Sequence, residues 1–541
     1  MSTAPSDLGV GSFSETPPWT LDDPHAPAWR QGLTEVRARV RGEVPQLTQP
    51  ARLPGVRVVK VARHLGLALS GWRLREYRSG DRSTSRAGVS RRLRIAAERL
   101  GPTYIKLGQI ISSGEGIFPA ELVDQFKLLR DKVPPESFAT VRRVIEEDLG
   151  RPLDEVFAYV ERTPLAAASI AQVHAATLRT GERVVVKVQR PSVARLVRQD
   201  LRVMAWLAPH LVGRIPIAAL ANPPALVELF AETIVEELDF RLEAENMLDI
   251  AWTYADLGQR HYVVPRPHPE LVTRRVLVME RLDGFAFDDV AGMHDAGVDT
   301  EAVVRAGMIA VMEGAILEGI FHGDLHGGNL FVRPDGRTAL LDFGITGRLT
   351  QERRVALLRL LMGGAANDVR AQVAAIRDLG ALPPDVDVEE VVQRLNLDAP
   401  PLDPTTLTGE QLVGELQQIV KGLLGLGARF PKELMLFVKN LVFLDGAITR
   451  LAPDLDLIAE VANVTMYFAT THGERIMADV GVDPRAIELD LTGLKAGLGV
   501  SEGTDALTHR ELRERRETIR GRFEQRRPGR AGRPGRRGGR R

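Results

Sequence analysis

The chain of 541 residues contains no cysteine, which excludes disulfide bonds and thiolate metal sites and is compatible with a reducing compartment. It also has no uninterrupted apolar run of about 18 residues, so the sequence predicts no transmembrane helix. The first residues show neither the basic region nor the apolar region of a signal peptide. Because 44% of the residues are hydrophobic and 26% are charged, we expect a cytoplasmic protein. Its length is sufficient for two or three domains.

The net charge is zero, but the charges are unevenly distributed along the chain. Between residues 510 and 541, 14 Arg stand against 4 Glu, a local excess of +10, so the rest of the chain carries −10. We expect this basic arm to make peripheral contact with the inner face of an anionic membrane; the alternative is a solvated, disordered end without a partner. Nucleic acid is the less favoured partner, because Arg/Gly tails are more often solvated or bind nonspecifically.

The residue pattern changes several times along the chain. The start is rich in Pro, Ser and Thr, and we interpret it as mostly disordered. Trp19 and Trp29 either make only transient local contacts there or act as docking points. Apolar residues at helical spacing follow, then strand-like runs, then helix again. The predicted division is 1–50 disordered, 51–150 helical extension, 151–285 β-rich lobe, 286–480 helical lobe, and 481–541 helical or disordered Arg-rich tail.

Residues 322–329 read HGDLHGGN, and an Asp-Phe-Gly tripeptide follows at residues 342–344. An aspartate with an asparagine five residues on, and then Asp-Phe-Gly after a short apolar run, is a phosphoryl-transfer signature. Asp324 is the candidate base or hydroxyl-orienting group. Asn329 and Asp342 are the candidate Mg²⁺ ligands, because Mg²⁺ prefers hard oxygen donors. The alternative is a surface turn after a buried strand.

The runs around these loops predict strands. Residues 330–332 and 338–341 are predicted to form a hairpin that holds the two loops at one end of a lobe. Residues 170–178 and 183–189 are predicted to form two further strands, and Lys187 is a lone cation among the valines of the second. In a kinase-like lobe it would contact the α- and β-phosphates of ATP and pair with a helical glutamate. The alternative is a lysine on the solvent face of an edge strand.

Three further segments bear on the site. A single helix over residues 225–250 is predicted to supply the glutamate, although helical acids are usually solvated. A strand ending at Glu280 is predicted to run into an inter-lobe hinge whose backbone groups would bind adenine. The apolar run at residues 434–444 predicts a core helix, with a membrane-facing helix as the alternative.

Four segments resemble elements of the UbiB family of atypical protein-kinase-like proteins, which is linked to ubiquinone and other isoprenoid-lipid metabolism. Residues 101–109 resemble its KxGQ element, 166–174 its alanine-rich nucleotide loop, 186–191 its strand-three lysine segment and 237–244 its ExD element. The resemblance extends over roughly residues 90–450. It implies an α+β, bilobal protein-kinase-like fold with a small β-rich N-lobe, a helical C-lobe, a helical N-terminal extension and disordered termini.

The resemblance also implies residue roles. Glu237 would pair with Lys187, so that Asp324, Lys187 and Glu237 form the catalytic set. Lys106 and Gln109 would fold over the nucleotide pocket near Asp239 and restrain the activity. The nucleotide-binding residues expected on this basis are Ala166, Ala167, Ala168, Ser169, Lys187, Glu280, Lys106 and Gln109.

We expect ATP and Mg²⁺ as cofactors and an isoprenoid lipid or quinone precursor as a partner. Gly323 stands where ordinary protein kinases carry an arginine, and only a short segment separates Gly344 from the next predicted helix. Protein phosphorylation in trans is therefore disfavoured, and ATP hydrolysis or phosphoryl transfer to a small or lipid-like molecule is favoured. The alternatives are a true protein serine/threonine kinase and a nucleotide-sensing scaffold with little turnover.

Overall fold

The computed structural model describes residues 12–15, 17–19, 21, 27–49, 55–76, 82–112, 120–129, 133–211, 223–397, 422, 426, 428, 431–486, 490, 492, 495, 503–504 and 506–515. The chain divides into two compact units. The first consists of Met1–Arg354 and Phe430–Gly446, and the second of Val355–Arg429 and Ala447–Arg541. The residues predicted for the site all belong to the first unit.

Helices dominate the described residues on both sides of a central β-rich region. In chain order they are α1 (Leu33–Thr48), α2 (Arg57–Arg75), α3 (Arg82–Leu100), α4 (Pro102–Ser112), α5 (Ala120–Phe126), α6 (Phe138–Leu149), α7 (Leu153–Val156), α8 (Val193–Leu211), α9 (Pro223–Glu236), α10 (Phe240–Asp256), α11 (Val290–Asp295), α12 (Thr300–Glu313), α13 (Gln351–Ala365), α14 (Val369–Asp378), α15 (Val388–Leu395), α16 (Lys432–Leu451), α17 (Leu457–Thr471) and α18 (Gly473–Val480). A π-helical turn at Gly314–Glu318 follows α12.

The strands form three separate sheets. They are β1 (Phe157–Val160), β2 (Ala166–Ala167), β3 (Ala171–Leu178), β4 (Arg183–Gln189), β5 (Tyr262–Val263), β6 (Pro267–Val272), β7 (Val276–Glu280), β8 (Phe285–Ala286), β9 (Ile320–His322), β10 (Leu330–Val332), β11 (Thr338–Leu340) and β12 (Thr346–Arg348). The first sheet has the order β1-β3-β4-β7-β6 with β2 paired to β3, the second β5-β11-β10-β8, and the third β12-β9. This arrangement agrees with the predicted α+β kinase-like fold.

The largest sheet explains why Lys187 points away from the core. Strand β4 lies between β3 and β7 and pairs antiparallel with both. Because successive side chains of a strand point to opposite faces, Val184, Val186 and Val188 are buried together in an apolar core beneath helix α6. Lys187 lies on the opposite face, so the alternative of a solvent-facing lysine on an edge strand does not hold.

The helical extension has a core of its own. On α2, Val61 and Trp72 are buried and pack with residues of α3 to α5, α8 and α9. A buried ion pair between Arg57 Nε and Asp200 Oδ1, 2.7 Å apart, ties α2 to α8. The extension is thus packed against the helices that flank the large sheet, and this packing fixes where α4 can carry the KxGQ-like residues.

The prediction of a mostly disordered start is wrong for residues 27–49, which form a 3-10 turn and helix α1. Trp29 Nε1 donates to the carbonyl of His268 at 3.2 Å, and Trp19 Nε1 donates to that of Pro267 at 3.1 Å. Both indoles therefore dock on strand β6, because each buries a large ring while its N–H keeps a hydrogen bond. Residues 1–11 and 516–541, also predicted to be disordered, lie outside the described residues.

The predicted hairpin is confirmed, since β10 and β11 pair antiparallel with Leu330 opposite Leu340. Strand β12 pairs with β9, which precedes the HGD segment. The HGD segment therefore leaves β9, and the Asp-Phe-Gly tripeptide leads into β12, the partner of β9, so the two polar loops lie in the same part of the first unit. In the second unit, Val373, Val391 and Val392 of α14 and α15 form a small apolar core.

Among the helices of the described residues, none combines the length and the apolar character needed to cross a membrane.

Candidate active site

Lys187 forms ion pairs with two carboxylates of the site. Its Nζ lies 2.7 Å from Glu243 Oε1 and 3.2 Å from Asp342 Oδ1. The same ammonium lies 5.4 Å from the centroid of the Phe240 ring, within the range of a cation–π contact. The prediction that Glu237 pairs with Lys187 is therefore wrong, because Glu243 occupies that position.

A break in the predicted helix explains this difference. The single helix expected over residues 225–250 is two helices, α9 and α10, separated by residues 237–239. Asp239 is the N-cap of α10, accepts the backbone N–H of Arg241 at 3.2 Å and also binds the Arg241 guanidinium. The cap starts a new helix whose first turn places Glu243 beneath Lys187, while Glu237 stays in the turn.

Glu237 pairs instead with the KxGQ-like element. Lys106 Nζ, on helix α4, lies 3.0 Å from Glu237 Oε1 and 4.0 Å from Asp324 Oδ2. Gly108 on the same helix is required by packing, because a Cβ there would lie 2.1 Å from Leu129 Cδ1. Lys106 thus reaches the site as the resemblance implied, but it contacts Glu237 and Asp324, whereas Asp239 is engaged in the cap of α10.

Gln109 lies one turn after Lys106, and its backbone carbonyl accepts a hydrogen bond from the Ser112 hydroxyl at 2.7 Å. Its role at the nucleotide pocket stays a prediction.

His322 connects the two polar loops. Its Nδ1 accepts the backbone N–H of Asp324 at 3.1 Å, and its Nε2 is hydrogen-bonded to the carbonyl oxygen of Asp342. Since Nδ1 accepts, Nε2 carries the proton and donates. Burial lowers the pKa of His322, so the ring is kept in this neutral form. The imidazole therefore sets the spacing between the HGD segment and the Asp-Phe-Gly tripeptide.

The Asp-Phe-Gly tripeptide is fixed by hydrogen bonds and by burial. Asp342 Oδ1 accepts the backbone N–H of Gly344 at 2.9 Å. Phe343 is fully buried, and its carbonyl accepts Asn246 Nδ2 at 2.9 Å. Because Asn246 lies on α10, the helix that carries Glu243 also holds the tripeptide in place.

Asp324 lies between two lysines. Its Oδ1 is ion-paired with Lys439 Nζ of helix α16, and its Oδ2 faces Lys106. Burial alone would raise the pKa of Asp324, but the two ammonium groups outweigh burial and hold that pKa well below its usual range. Asp324 is consequently held as an ionised hydrogen-bond acceptor, a state suited to orienting a hydroxyl group rather than to taking up a proton.

Two carboxylates, those of Glu243 and Asp342, contact the single ammonium group of Lys187, so negative charge is in excess around it. Burial raises the pKa of Glu243 to about 7; Lys187 opposes this rise and Asp342 adds to it. Burial would also raise the pKa of Asp342, but Lys187 and Lys106 together hold it well below its usual range. Asp342 is therefore the carboxylate that stays charged at neutral pH, as a metal ligand must.

The predicted metal ligands fit Mg²⁺ by their chemistry. Asn329 Nδ2 donates to the carbonyl of Asp324 at 3.2 Å, which leaves the carboxamide oxygen as the atom for a metal. The ionised Asp342 carboxylate supplies the second hard oxygen, and the nucleotide phosphates and water would supply the others. The described residues hold no cluster of three or more His, Asp or Glu side chains arranged for a metal.

The alanine-rich loop forms a tight turn between β2 and β3. Ala168 N–H donates to Ala171 O at 2.9 Å, and the Ala168 carbonyl accepts Arg190 Nε at 3.0 Å. The predicted nucleotide contacts of Ala166, Ala167, Ala168 and Ser169 stay predictions, and the loop is anchored for such a role.

Glu280, predicted at the adenine hinge, has a different environment from the one expected. Its backbone N–H donates to Arg266 O at 2.9 Å, and its buried carboxylate binds the Ser14 hydroxyl and the Arg266 backbone N–H. The side chain therefore fastens the N-terminal segment to β7, and contact with adenine stays a prediction for this position.

Two site residues were not predicted. Glu243 lies within the ExD-like segment, but the resemblance implied the first acid of that segment, Glu237, as the partner of Lys187. Lys439 lies in the apolar run at residues 434–444, where it is the only cation. The rule that an isolated charge in an apolar run needs a partner, applied above to Lys187, would have singled it out.

Comparison with known proteins identifies the family to which this chain is related. Residues 128–376 match the ABC1 atypical kinase-like domain. An uncharacterized protein of Mycobacterium tuberculosis is 36% identical in an alignment of 381 positions that covers 68% of this chain and 76% of that protein. A probable protein kinase UbiB of Marinobacter nauticus is 33% identical over 68% of this chain and 67% of its own length.

A chloroplast protein of Arabidopsis thaliana, named Activity of BC1 complex kinase 1, is 33% identical over 69% of this chain and 54% of that protein. A solved Mycobacterium tuberculosis protein in complex with erythromycin is 21% identical, with a TM-score of 0.37 over 64% of this chain and 91% of that one. From the identities and the extent of coverage, the chain belongs to the UbiB family of ABC1 atypical kinase-like proteins.

Proposed function

We propose that the chain binds ATP with Mg²⁺ and either hydrolyses it or transfers its terminal phosphoryl group to a small or lipid-like acceptor. The observation that carries this proposal is the contact of Lys187 with Asp342, at 3.2 Å, beside an ionised Asp324. A phosphate-binding cation, a metal-binding carboxylate and a hydroxyl-orienting carboxylate then lie within one site.

Each side chain has a role that follows from its surroundings. Lys187, held by Glu243, would contact the α- and β-phosphates of ATP. Asp342 and Asn329 would hold Mg²⁺, which when bound neutralises charge on the β- and γ-phosphate oxygens. Asp324 would accept a hydrogen bond from the attacking hydroxyl or water and so orient it.

The segment after the Asp-Phe-Gly tripeptide favours a small acceptor over a protein. Strand β12 pairs with β9 directly after this tripeptide, and helix α13 already begins at Gln351. This leaves no long loop on which a peptide could dock, which disfavours the alternative of a true protein kinase, although several relatives are named as kinases. The link to isoprenoid-quinone metabolism rests on the family resemblance.

The test is phosphate release from ATP and Mg²⁺ by the full-length protein, with and without anionic liposomes or detergent. Release supports the proposed function. Phosphorylation of a peptide library would favour a protein kinase instead. Nucleotide binding without phosphate release, without peptide phosphorylation and without transfer of labelled phosphate to added lipid would favour the scaffold and contradict our proposal.

Lys106 is expected to restrain the activity, because its ammonium covers Asp324 Oδ2, the oxygen that an acceptor hydroxyl needs. We predict that Lys106→Ala changes nucleotide affinity and raises autophosphorylation several-fold, measured by transfer of labelled phosphate. The exposed Lys60 of α2 gives a matched control from the same helical extension, and Lys60→Ala should behave as the wild type. If Lys106→Ala alters neither quantity, the restraining role is wrong.

The basic arm is expected to give reversible membrane contact. Leu512 is buried and Arg510 pairs with Asp454, so a truncation that keeps these contacts is best made after Arg515. It removes eleven Arg and two Glu, a charge of 11 − 2 = +9. Basic residues near an anionic bilayer contribute on the order of 1 kcal/mol each, and the attraction fades within a Debye length.

In liposome cosedimentation, the full-length protein should bind vesicles containing anionic lipid at low salt and dissociate as salt rises, and the truncated protein should lose most of this binding. Vesicles of neutral lipid are the control. Equal binding by the truncated protein would place the membrane contact on the folded part of the chain.

A further inference from the structure

One face of helix α16 lies along the segment that leads into Asp324. The ring of Phe437 packs edge-on against that of Phe321, with centroids 5.9 Å apart. One turn later, Asn440 Nδ2 donates a hydrogen bond to the carbonyl oxygen of His322. These contacts join the helix to consecutive residues of the segment that leads into Asp324.

The glycine of the HGD segment lies close to both Ile345 and α16. A Cβ at Gly323 would lie 2.8 Å from Ile345 Cγ2, 3.0 Å from the Ile345 carbonyl oxygen and 3.1 Å from Leu436 Cδ1 of α16. A side chain at this position, such as the arginine that ordinary protein kinases carry, would therefore require Ile345 and the Leu436 side chain to shift.

The cation that meets Asp324 comes from α16 itself. Lys439 Nζ is ion-paired with Asp324 Oδ1, and both side chains are largely buried, with 21% and 16% of their surface exposed. The other carboxylate oxygen, Oδ2, faces Lys106 at 4.0 Å. The two oxygens of one carboxylate are therefore held by lysines from two different parts of the chain.

We propose that Lys439 is a positioning residue for Asp324 and that the two lysines have opposite effects. By engaging Oδ1, Lys439 fixes the carboxylate so that Oδ2 points toward the place of the attacking hydroxyl. Lys106 covers that same oxygen, so its departure would free Oδ2 while Lys439 keeps it oriented. This inference rests on the proposed phosphoryl-transfer function.

A purely structural ion pair on the same helix provides a matched control. Lys432 Nζ lies 3.0 Å from Glu236 Oε2, and both side chains are again largely buried. The Lys432→Met substitution removes an ion pair of the same kind from the same helix without touching Asp324. Any effect of Lys439→Met on turnover that Lys432→Met does not share then results from the lost contact with Asp324.

The experiment measures phosphate release from ATP and Mg²⁺ by the full-length wild type and by Lys439→Met, Lys439→Arg and Lys432→Met. We expect Lys439→Met to lower kcat by roughly ten- to a hundredfold, as loss of orientation at a reacting group does, with KM for ATP within about threefold. Lys439→Arg should recover most of the lost kcat. Lys432→Met should keep kcat within about twofold.

Because Lys439 is proposed to act through Asp324, its effect should vanish when Asp324 is absent. In an Asp324→Asn background, Lys439→Met should lower kcat no further. A second readout uses the protein without nucleotide or metal: the losses in Tm of Lys439→Met and Asp324→Asn should not add in the double variant. Losses with Lys432→Met should add.

The outcomes separate the two levels of the proposal. An unchanged kcat in Lys439→Met, or equal losses in Lys439→Met and Lys432→Met, would overturn the positioning role while the proposed function stands. Additive losses in Tm would overturn the ion pair itself. A wild type that neither releases phosphate nor transfers labelled phosphate to added lipid would overturn the proposed function and the positioning role together, and non-additive Tm values would then show the pair as structural only.

Discussion

Replacing Asp342 by asparagine is expected to abolish Mg²⁺-dependent ATP turnover while the fold persists. Asparagine has nearly the same shape and can still accept the Gly344 N–H through its oxygen. It removes the negative charge that Lys187 faces and that a metal requires. Loss of one electrostatic stabiliser in a preorganised site typically costs roughly 10²–10³-fold in kcat, and we expect at least this loss.

The measurement is phosphate release as a function of Mg²⁺ concentration, together with thermal unfolding of both proteins. Asp335→Asn is a suitable control, because Asp335 lies in the hairpin turn and pairs with Arg337, and it should leave the rate within about twofold. An Asp342→Asn protein that turns over ATP at the wild-type rate at low Mg²⁺ would contradict the assignment of Asp342 as a metal ligand.

The second large effect is expected from Lys187→Met, which should abolish ATP binding and destabilise the fold. Lys187 is 12% exposed and Glu243 only 4% exposed. Breaking a buried pair by removing one partner typically costs about 3–5 kcal/mol, because the remaining charge is left unpaired. Titration with a fluorescent ATP analogue and chemical unfolding measure the two losses separately.

The destabilisation should depend on pH through Glu243. The pKa of this carboxyl is raised to about 7 in the folded protein, so the folded state binds the proton more tightly than the unfolded state does. The contribution of Glu243 to the free energy of unfolding therefore falls as pH rises from about 4.5 to about 7. Without Lys187 the pKa of Glu243 should rise further, so the fall should be larger in total and extend to higher pH.

The double variant Lys187→Met/Glu243→Gln tests the cause. It removes the stranded carboxylate, so it should regain much of the stability and lose the larger pH dependence, yet it should still fail to bind ATP. If the double variant is as unstable and as pH-dependent as Lys187→Met, then Glu243 is not the group responsible, and Asp342 would have to be.

Local patterns predicted the elements that carry the site. Strands β3 and β4 and the β10–β11 hairpin lie close to where alternating apolar residues and turn signals placed them, because hydrophobic period and turn chemistry are properties of short segments. The spacing of Asp324, Asn329 and Asp342 likewise needs only a loop and a hairpin. His322, two residues before Asp324, completes that local arrangement.

Contacts between distant segments were not predictable in the same way. The acids around residues 228–245 offered Lys187 several partners, and the choice of Glu243 over Glu237 depends on where α10 begins. That boundary is set by the cap at Asp239. A sequence pattern does not locate a helix end to better than about one or two residues. A difference of six residues along the chain, across this helix start, was enough to exchange the partner.

The N-terminal segment was misjudged for a related reason. Its Pro, Ser and Thr content is typical of disorder, but composition does not show that a carbonyl at the edge of β6 is available for each indole N–H. The 3-10 turn at Ala28–Arg30 packs on β6, and helix α1 packs on α8 and α9, so both rest on surfaces supplied by segments far along the chain.

The sequence by itself determined which residue types could perform phosphoryl transfer, that Lys187 stands alone in a valine strand, and that the two polar loops flank one hairpin. Only the tertiary structure decided the ion pairs. Lys106, Lys187 and Lys439 come from segments far apart in the chain, yet all three meet carboxylates of the same site. The physical reason is that periodicity fixes the face on which a side chain lies, whereas its partner is fixed by how helices α4, α10 and α16 pack around the loops.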